Sequence, residues 1–267
     1  MAWELNFITE EQFRDHVKKT INEYGEKLKS FDLEKFNSNI IDPVKLIFDH
    51  AVYKSSWEET ISNEIFRQRD KSNNNYIGYF HQYLFSYVKN CTVPPNGKQG
   101  GWDVIYRNPD GIKLPDGSVV HTVYAEMKNK HNTLNGASGS KTFTKMQNQL
   151  LHDDDSACFL VEVIAKKSQN IKWETTVDKV KLSHKLIRRV SIDKFYELVL
   201  GDPEAFYKIC KVLPDVVLSV VNETDNLETP NDIVYQQLVE RFKSDDSHSI
   251  ILALYMLGFS SYPGFTQ

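Results

Sequence analysis

Cysteine is scarce in this sequence. It has three cysteines, Cys91, Cys158 and Cys210, and they are widely spaced. An odd number of cysteines argues against a disulfide framework. The lack of a CxxC pair, and of a histidine close to any of them, argues against a zinc site. All three are therefore expected to be buried thiols.

Long hydrophobic stretches are also missing. The longest apolar run extends from Ile250 to Leu257, far short of the roughly 20 residues that a bilayer-spanning helix needs. Met1 is not followed by a basic and then an apolar segment, which a secretory leader would show. The sequence therefore predicts a globular protein of the cytoplasm.

A positive net charge is absent from the chain as a whole. It has 32 Lys and Arg against 36 Asp and Glu, a net charge of −4, which alone would argue against a polyanionic partner. The segment 127–189 is different, because it carries 12 Lys and Arg against 6 Asp and Glu. This asymmetry is typical of a nucleic-acid-binding face. From charge alone, a solvated lysine-rich surface explains it equally well.

The sequence does contain an alternation of helical and strand patterns. Thr9 and Gln12 form a capping box before an amphipathic N-terminal helix. A helix from Trp57 is predicted to break at 71–75 and to resume from 79 to 88. Further helices are predicted near 143–150, from about 191, over 231–242 and near the C-terminus. Strands are predicted over 102–106, 119–128 and 157–164.

The order of these elements predicts the fold class. Helix, strand, strand, helix and strand in succession indicate an α/β or α+β core, with a mixed central sheet flanked by helices. A chain of 267 residues, 40% of them hydrophobic, can bury such a core. We predict one domain over 1–267, made of a helical region (1–56), a core (57–165), and a basic segment with C-terminal helices (166–267).

Two acids and a lysine lie at the ends of two of the predicted strands. Asp103 follows the Gly-rich turn "PPNGKQGG", and Glu126 and Lys128 lie near the end of the next strand. Turn-forming residues at 108–111 and 115–117 predict that the two strands form a hairpin. Residues two apart in a strand share a face, so Glu126 and Lys128 project together, and the hairpin brings Asp103 within reach.

Two neighbouring carboxylates repel each other unless a cation joins them. Mg²⁺ is the natural choice, because it accepts carboxylates, a backbone carbonyl and water. A lysine beside it can hold the attacking water or stabilise charge on the reacting phosphate. The alternative is an exposed cross-strand ion pair that contributes less than about 1 kcal/mol.

Longer segments carry a resemblance to a known family. They are "IIDPVKLIFD", "RQRDKSNNNYIGYFHQYLF", "GGWDV", "AEMKNKHNT", "FLVEVIAKKSQNIKWE" and "LIRRVSIDKFYELVLGD", which fall between about residues 40 and 215. With the Glu-x-Lys motif at Glu126, they resemble the PD-(D/E)XK nuclease superfamily. Within it, they are similar to type II restriction endonucleases that cut GGNCC-like sites. Trp102 stands where the superfamily name has proline.

The resemblance implies a prokaryotic enzyme that hydrolyses double-stranded DNA with Mg²⁺ and leaves 5′-phosphate ends. It implies that Asp103, Glu126 and the carbonyl of Met127 bind the metal and that Lys128 is the catalytic lysine. Glu64 is the candidate for an additional helix-borne catalytic acid, with an ordinary helix-surface carboxylate as the alternative. A palindromic site implies a homodimer. A companion DNA methyltransferase is expected in the same system.

Basic and polar residues near the motif are candidates for DNA contacts, mostly to phosphates. They are Lys130, His131, Asn132, Lys141, Lys145, Lys166, Lys167, Lys172, Arg188 and Arg189. Residues 73–75 are expected in a polar turn that ends a helix, with a DNA-contacting loop as the alternative. Residues 133–140 are expected in a loop that orders around DNA. Two other functions share these features: a structure-selective or repair nuclease with the same core, and a DNA-binding protein without catalysis.

Overall fold

A computed structural model describes residues 3–27, 29–177, 179–223 and 230–260 of the chain. The helices within these ranges are α1 (Glu10–Lys27), α2 (Leu33–Phe36), α3 (Pro43–Tyr53), α4 (Trp57–Leu84), α5 (Gly136–His152), α6 (Ile192–Leu200), α7 (Ala205–Asn222), α8 (Val234–Phe242) and α9 (Ser247–Gly258). The strands are β1 (Cys91–Thr92), β2 (Val104–Lys113), β3 (Val119–Lys130), β4 (Ser156–Ile164), β5 (Asn170–Val177) and β6 (Val180–Ser191). None of the described helices is both long and apolar enough to span a bilayer.

The strands form one six-stranded sheet in the order β1-β2-β3-β4-β6-β5. The pairs β1–β2, β2–β3 and β5–β6 are antiparallel, whereas β3–β4 and β4–β6 are parallel. The predicted mixed sheet, the hairpin of β2 with β3 and the buried strand β4 are therefore confirmed, as is a core of the PD-(D/E)XK type. The pair β5–β6 was not predicted.

The chain forms two compact units. The first contains Met1–Thr20 and Asn75–Glu223, and with them the whole sheet and helices α5 to α7. The second contains Ile21–Asn74 and Thr224–Gln267, and with them α2, α3, α8 and α9. Strands from the predicted core segment and from the predicted basic segment thus lie in the same unit.

In the first unit, α5 packs against one face of the sheet. Phe143 and Met146, three residues apart on α5, are fully buried there. Around them lie side chains from the sheet and from the turn before β2: Trp102, Ile105, Cys158, Leu160, Trp173 and Ile187. On the opposite face, Phe195 of α6 packs on Phe159 of β4, with ring centroids 6.3 Å apart. Both faces of the central strands are thereby covered.

The second unit has a hydrophobic core of its own. Asp32 and Asp42 accept hydrogen bonds from Lys35 N at 2.8 Å and Lys45 N at 3.0 Å, which caps α2 and α3. The buried core side chains come from helices α2, α3, α4, α8 and α9 and from the segments beside them: Phe31, Phe36, Ile41, Leu46, Trp57, Ile61, Ile65, Val234, Leu238, Ile250, Ala253 and Leu254.

Two predicted interruptions are wrong. Helix α4 is continuous, so 71–75 does not break it and Asn73, Asn74 and Asn75 are helical. The Asn74 amide donates to the carbonyl and to the carboxylate of Asp70, both at 2.9 Å, and so finds its partners along the helix. Residues 136–140 of the predicted loop are the start of α5, because Asn135 accepts the N–H of Ser138 at 2.8 Å and caps the helix.

The cysteines differ from the expectation of three buried thiols. Cys158 is buried in the core of the first unit, Cys91 is half-buried, and Cys210 is exposed. Cys210 follows the buried Ile209 on α7, and successive residues of a helix point in different directions. All three cysteines are free thiols, as expected.

Candidate active site

Asp103 is positioned by the glycine turn that precedes it and by a backbone hydrogen bond to β3. Gly100 and Gly101 have φ angles of 75° and 68°, a left-handed backbone that residues with a side chain rarely adopt. The N–H of Asp103 donates to the carbonyl of Ala125 at 3.0 Å. The Gln82 amide donates to the carbonyl of Asp103 at 3.3 Å. The backbone that carries this carboxylate is therefore bonded on both sides.

Glu126 and Lys128 lie on one face of β3. Burial alternates along this strand, with Val123, Ala125 and Met127 buried and the residues between them partly exposed, as the sequence pattern predicts. The Nζ of Lys128 donates to Oε1 of Glu126 at 2.7 Å. Because β3 pairs with β2 on one side and with β4 on the other, both side chains are attached to a strand inside the sheet.

The carboxylate of Asp103 lies against the same stretch of β3. Its Oδ2 accepts the N–H of Met127 at 2.7 Å. Burial raises the pKa of Asp103, and the negative charge of Glu126 raises it further. The Met127 hydrogen bond and the charges of Lys128 and Lys145 act in the opposite direction without cancelling the rise in this pKa. The two carboxylates are thus close enough to repel each other.

A lysine from α5 joins this group. The Nζ of Lys145 is 2.7 Å from Oε2 of Glu126 and 2.8 Å from the carbonyl oxygen of Gly101. It also lies 4.1 Å from the centre of the Trp102 ring, a distance typical of a cation–π contact. Sequence reasoning placed Lys145 among the DNA contacts and missed its contact with Glu126. No sequence spacing could have shown it, because α5 reaches the site only through the fold.

Glu126 therefore has an ammonium group on each of its oxygens. Burial by itself would raise the pKa of Glu126, but Lys128 and Lys145 outweigh burial and lower it. The pKa values of the two neighbouring acids are thus shifted in opposite directions. Glu126 is stabilised as a carboxylate, whereas the ionised form of Asp103 is disfavoured until further positive charge arrives.

The donor atoms of this group fit a hard divalent cation. Asp103, just before β2, and Glu126 on β3 supply carboxylate oxygens, and their mutual repulsion is the kind that a cation relieves. Among the described residues, no cluster of three or more His, Cys, Asp and Glu side chains is suited to a metal. Mg²⁺ commonly binds through only one or two carboxylates and fills its other positions with water and phosphate oxygens.

Glu64 lies in the second unit and is 5% exposed. The guanidinium of Arg67 pairs with both of its oxygens, with Nε of Arg67 2.7 Å from Oε2. The amide of Gln68 donates to Oε1 at 3.2 Å. Glu64 is thus a buried and paired carboxylate, unlike an ordinary acid on a helix surface. Its catalytic role stays a prediction.

The predicted DNA contacts fall into two groups. Arg188 is 4% exposed, and its guanidinium donates to the side chain of Asn170 at 2.6 Å and to its carbonyl at 2.8 Å. Arg189 pairs with the buried Glu162 and donates to the carbonyl of half-buried His131 at 2.8 Å. Both guanidinium groups already have partners within the chain. The exposed candidates are Lys130, Asn132, Lys141, Lys166, Lys167 and Lys172.

Comparison with known proteins agrees with this geometry. Residues 5–222 match the Eco47II restriction endonuclease family. The chain is 31% identical to the type II restriction enzyme Sau96I of Staphylococcus aureus over 218 residues, which are 79% of this chain and 78% of that enzyme. It is 26% identical to the type II restriction enzyme Eco47II of Escherichia coli over 234 residues, 82% of this chain and 89% of that enzyme. The family match includes the strands and helix that carry Asp103, Glu126, Lys128 and Lys145.

Proposed function

Because the chain belongs to the Eco47II restriction endonuclease family, we propose that it hydrolyses double-stranded DNA with Mg²⁺. The proposed target is a short palindromic site flanked by GG and CC, of the GGNCC type, and the products have 5′-phosphate ends. The observation that carries this proposal is the group formed by Asp103, Glu126 and Lys128 at the ends of β2 and β3. Asp103, Glu126 and Lys128 correspond to the two acids and the lysine of the superfamily motif, and Trp102 stands in place of its proline.

Asp103, Glu126 and the carbonyl of Met127 would hold the metal ion. When bound, Mg²⁺ supplies Lewis-acid stabilisation of the negative charge on the phosphate. Lys128 holds the attacking water as a hydrogen-bond donor and stabilises charge from a fixed place on β3. Water attacks phosphorus in line and gives up one proton to solvent. The bond to the 3′ oxygen breaks, and that oxygen takes a proton from solvent. The products are a 5′-phosphate and a 3′-hydroxyl.

The first test is cleavage of a sequenced plasmid by the purified protein in Mg²⁺, with EDTA as the control, followed by sequencing of the ends. Discrete fragments that all end at one GG/CC-flanked palindrome are expected. A smear or random nicks would replace the proposal with a structure-selective or repair nuclease. Intact plasmid, combined with a band shift, would replace it with a DNA-binding protein without catalysis.

The second test assigns the chemistry to the site. Asp103→Asn and Lys128→Met should each slow cleavage by roughly 10²-fold or more, because each removes a group that stabilises charge in the transition state. Band shifts in Ca²⁺ and thermal unfolding report separately whether each variant still binds DNA and folds. Lys113→Met, a substitution of an exposed lysine at the far end of β2, is the control for loss of one positive charge. Undiminished cleavage by either site variant would remove that residue from the mechanism.

We also propose Glu64 as the additional acid that the resemblance implies. Its pairing with Arg67 allows the catalytic role to be separated from a structural one. Arg67→Met breaks the pair and keeps the carboxylate, whereas Glu64→Gln removes the charge and keeps the shape. If Glu64 is a catalytic acid, Glu64→Gln should lower the cleavage rate of the folded protein and Arg67→Met should not. Equal losses in both variants would assign the pair to stability alone.

Contacts to DNA phosphates are proposed for the predicted basic residues, and above all for the exposed lysines. Each phosphate contact that is lost reduces the slope of log affinity against log salt by about one, because about one counterion fewer is released on binding. Lys141→Met and Lys166→Met should therefore weaken binding to cognate and random DNA alike and should reduce the slope of log affinity against log salt. A substitution that changed only the choice of sequence would instead assign that lysine to base reading.

A homodimer is proposed because a palindromic site is matched by a two-fold protein. Helix α3 offers a surface for it, since Val44, Phe48 and Val52 follow each other at intervals of four residues and are 44%, 65% and 67% exposed. Lys45 and Asp49, which pair with each other along α3, flank this stripe with opposite charges. In an antiparallel copy that sets Lys45 level with the Asp49 of the other chain, the two apolar stripes interleave.

Sedimentation equilibrium tests both the dimer and the surface. The unmodified protein should have the mass of a dimer, and Phe48→Glu should have the mass of a monomer. Leu218→Glu is the matched control, because Leu218 is an equally exposed apolar residue, at 62%, on α7 of the first unit. A monomeric unmodified protein would refute the dimer. A dimeric Phe48→Glu variant would place the interface elsewhere.

The proposed activity would also cut the DNA of the host cell. A companion DNA methyltransferase that recognises the same site is therefore proposed, acting on the DNA and not as a stable partner of this chain. The proposed site of action is the prokaryotic cytoplasm. Cleavage of unmethylated plasmid, with protection of the same plasmid after methylation at the identified site, tests this pairing.

A further inference from the structure

The carboxylate of Glu126 binds two lysines of different origin. Lys128 comes from the same strand and binds Oε1, as the superfamily motif leads one to expect. Lys145 comes from α5 and binds Oε2, and no part of the motif includes it. The oxygen that Lys145 occupies belongs to one of the two carboxylates that fit a divalent cation.

We propose that Lys145 is a positioning residue of the metal site: its ammonium holds Oε2 of Glu126 in the metal-free protein, and the divalent cation binds in competition with it. This inference rests on the proposed function, because it assumes that Asp103 and Glu126 hold a metal ion. It concerns a property that is measured without DNA and without cleavage.

The surroundings of Lys145 suit such a replaceable ligand. Besides Glu126, its ammonium has the carbonyl oxygen of Gly101 at 2.8 Å and the face of the Trp102 ring at 4.1 Å. These two partners remain when Glu126 turns towards a metal ion. The Trp102 ring is itself fixed, since it is 3% exposed and its Nε1 donates to Gln149 at 3.1 Å. Gln149 lies one turn after Lys145 on α5.

Charge gives the direction of the effect. A divalent cation that approaches Glu126 meets the positive charge of Lys145 at the oxygen it needs, and this repulsion weakens binding. Removal of the Lys145 charge should tighten metal binding by roughly tenfold. This figure takes the ammonium and the cation to be about 5 Å apart and screened as strongly as in bulk water. A merely structural lysine has the opposite signature, because its loss would loosen Glu126 and weaken metal binding.

The experiment is calorimetric titration of the DNA-free protein with Mg²⁺. Lys145→Met should bind the ion roughly tenfold more tightly than the unmodified protein, and Lys145→Arg, which keeps the charge, should stay within about twofold of it. Lys113→Met is the control, because Lys113 is an exposed lysine at the far end of β2 and belongs neither to the metal site nor to the proposed DNA contacts. Its affinity for Mg²⁺ should not change. An unchanged or weaker affinity in Lys145→Met would overturn the inference.

A second measurement covers the case in which Lys145→Met fails to fold. When Glu126 turns to the metal ion, the ammonium of Lys145 stays over the Trp102 ring but loses its negative partner, so Mg²⁺ should change the fluorescence of that tryptophan. The signal is the difference between the unmodified protein and Trp102→Phe during the titration. No difference would overturn the inference. A protein that binds no Mg²⁺ at all would refute the proposed function together with it, and metal binding without competition would refute only the role of Lys145.

Discussion

The substitution Arg189→Met separates two roles for a residue that the sequence places among the DNA contacts. Arg189 donates to Oε1 of Glu162, and Glu162 is only 2% exposed. The other carboxylate oxygen of Glu162 is buried and has no hydrogen-bond partner. Arg189 also donates to the carbonyl of His131, just after β3 ends. The guanidinium is therefore the main compensation for a buried negative charge.

Loss of one partner of a buried ion pair costs about 3–5 kcal/mol, because the remaining charge is left without compensation in a poorly solvated place. For a domain of this size, each kcal/mol lowers the melting temperature by about 2–4 °C. Arg189→Met should therefore melt roughly 6–20 °C below the unmodified protein. Lys181→Met is the control on the same strand, because its partner Glu174 is exposed and the pair contributes about 0–1 kcal/mol.

The assay is thermal and urea unfolding of the protein without DNA and metal. The double variant Glu162→Gln with Arg189→Met should regain a large part of the loss, because it removes the buried charge as well as its partner. If Arg189→Met unfolds like Lys181→Met, the reasoning is refuted. Arg189 would then be free to serve as the phosphate contact that the basic segment predicts.

Three further predictions concern single residues. In EDTA, Asp103→Asn should raise the melting temperature at neutral pH, because the raised pKa of Asp103 means that its ionised carboxylate costs stability. The gain in melting temperature should vanish as pH falls below about 4, where the carboxyl is protonated in both folded and unfolded protein. A gain that persists at that pH would contradict this cause. Trp102→Ala should destabilise the protein by about 3–5 kcal/mol in urea unfolding, since it empties a buried site beneath Lys145; a loss below about 1 kcal/mol would contradict the packing. A thiol reagent at pH 8 should modify exposed Cys210 but not Cys158, because burial raises the pKa of Cys158 to about 12. Mass spectrometry of the modified peptides identifies the labelled cysteine, and early labelling of Cys158 would contradict its burial.

Local patterns were sufficient for the strands that carry the site. Short windows of sequence contain the signals: the apolar alternation of β3, the apolar run of β4 and the turn residues at 115–117. From these signals the sequence predicts that Asp103, Glu126 and Lys128 lie close together, as they do in the structure. The pair β5–β6 gave no such signal, because Trp173 is the one buried residue of β5 and most of β6 before Ile187 is exposed or half-buried. β5 is the edge strand of the sheet, and neither β5 nor this part of β6 shows the hydrophobic periodicity that predicts a strand.

The errors in the helices have the same origin. The polar run at 71–75 has low helix propensity, yet it continues a helix whose earlier residues Ile61 and Ile65 are held by the core of the second unit. The start of α5 is rich in Gly and Ser, yet the buried Phe143 and Met146 fix the helix against the sheet. In both segments, packing overrides the local preference of the backbone, and packing cannot be read from a short window of sequence.

The charge balance of the site explains why it needs a lysine that the motif does not contain. Asp103 and Glu126 carry two negative charges, and Lys128 alone would leave a net charge of −1 in a largely buried place. With Lys145 the group is neutral before any metal binds, which lets the sheet and α5 pack around it. If the chain has the proposed function, a divalent cation that binds to this neutral group gives it a net charge of +2. A DNA phosphate is then the partner that restores neutrality, so metal and DNA should each bind more tightly in the presence of the other.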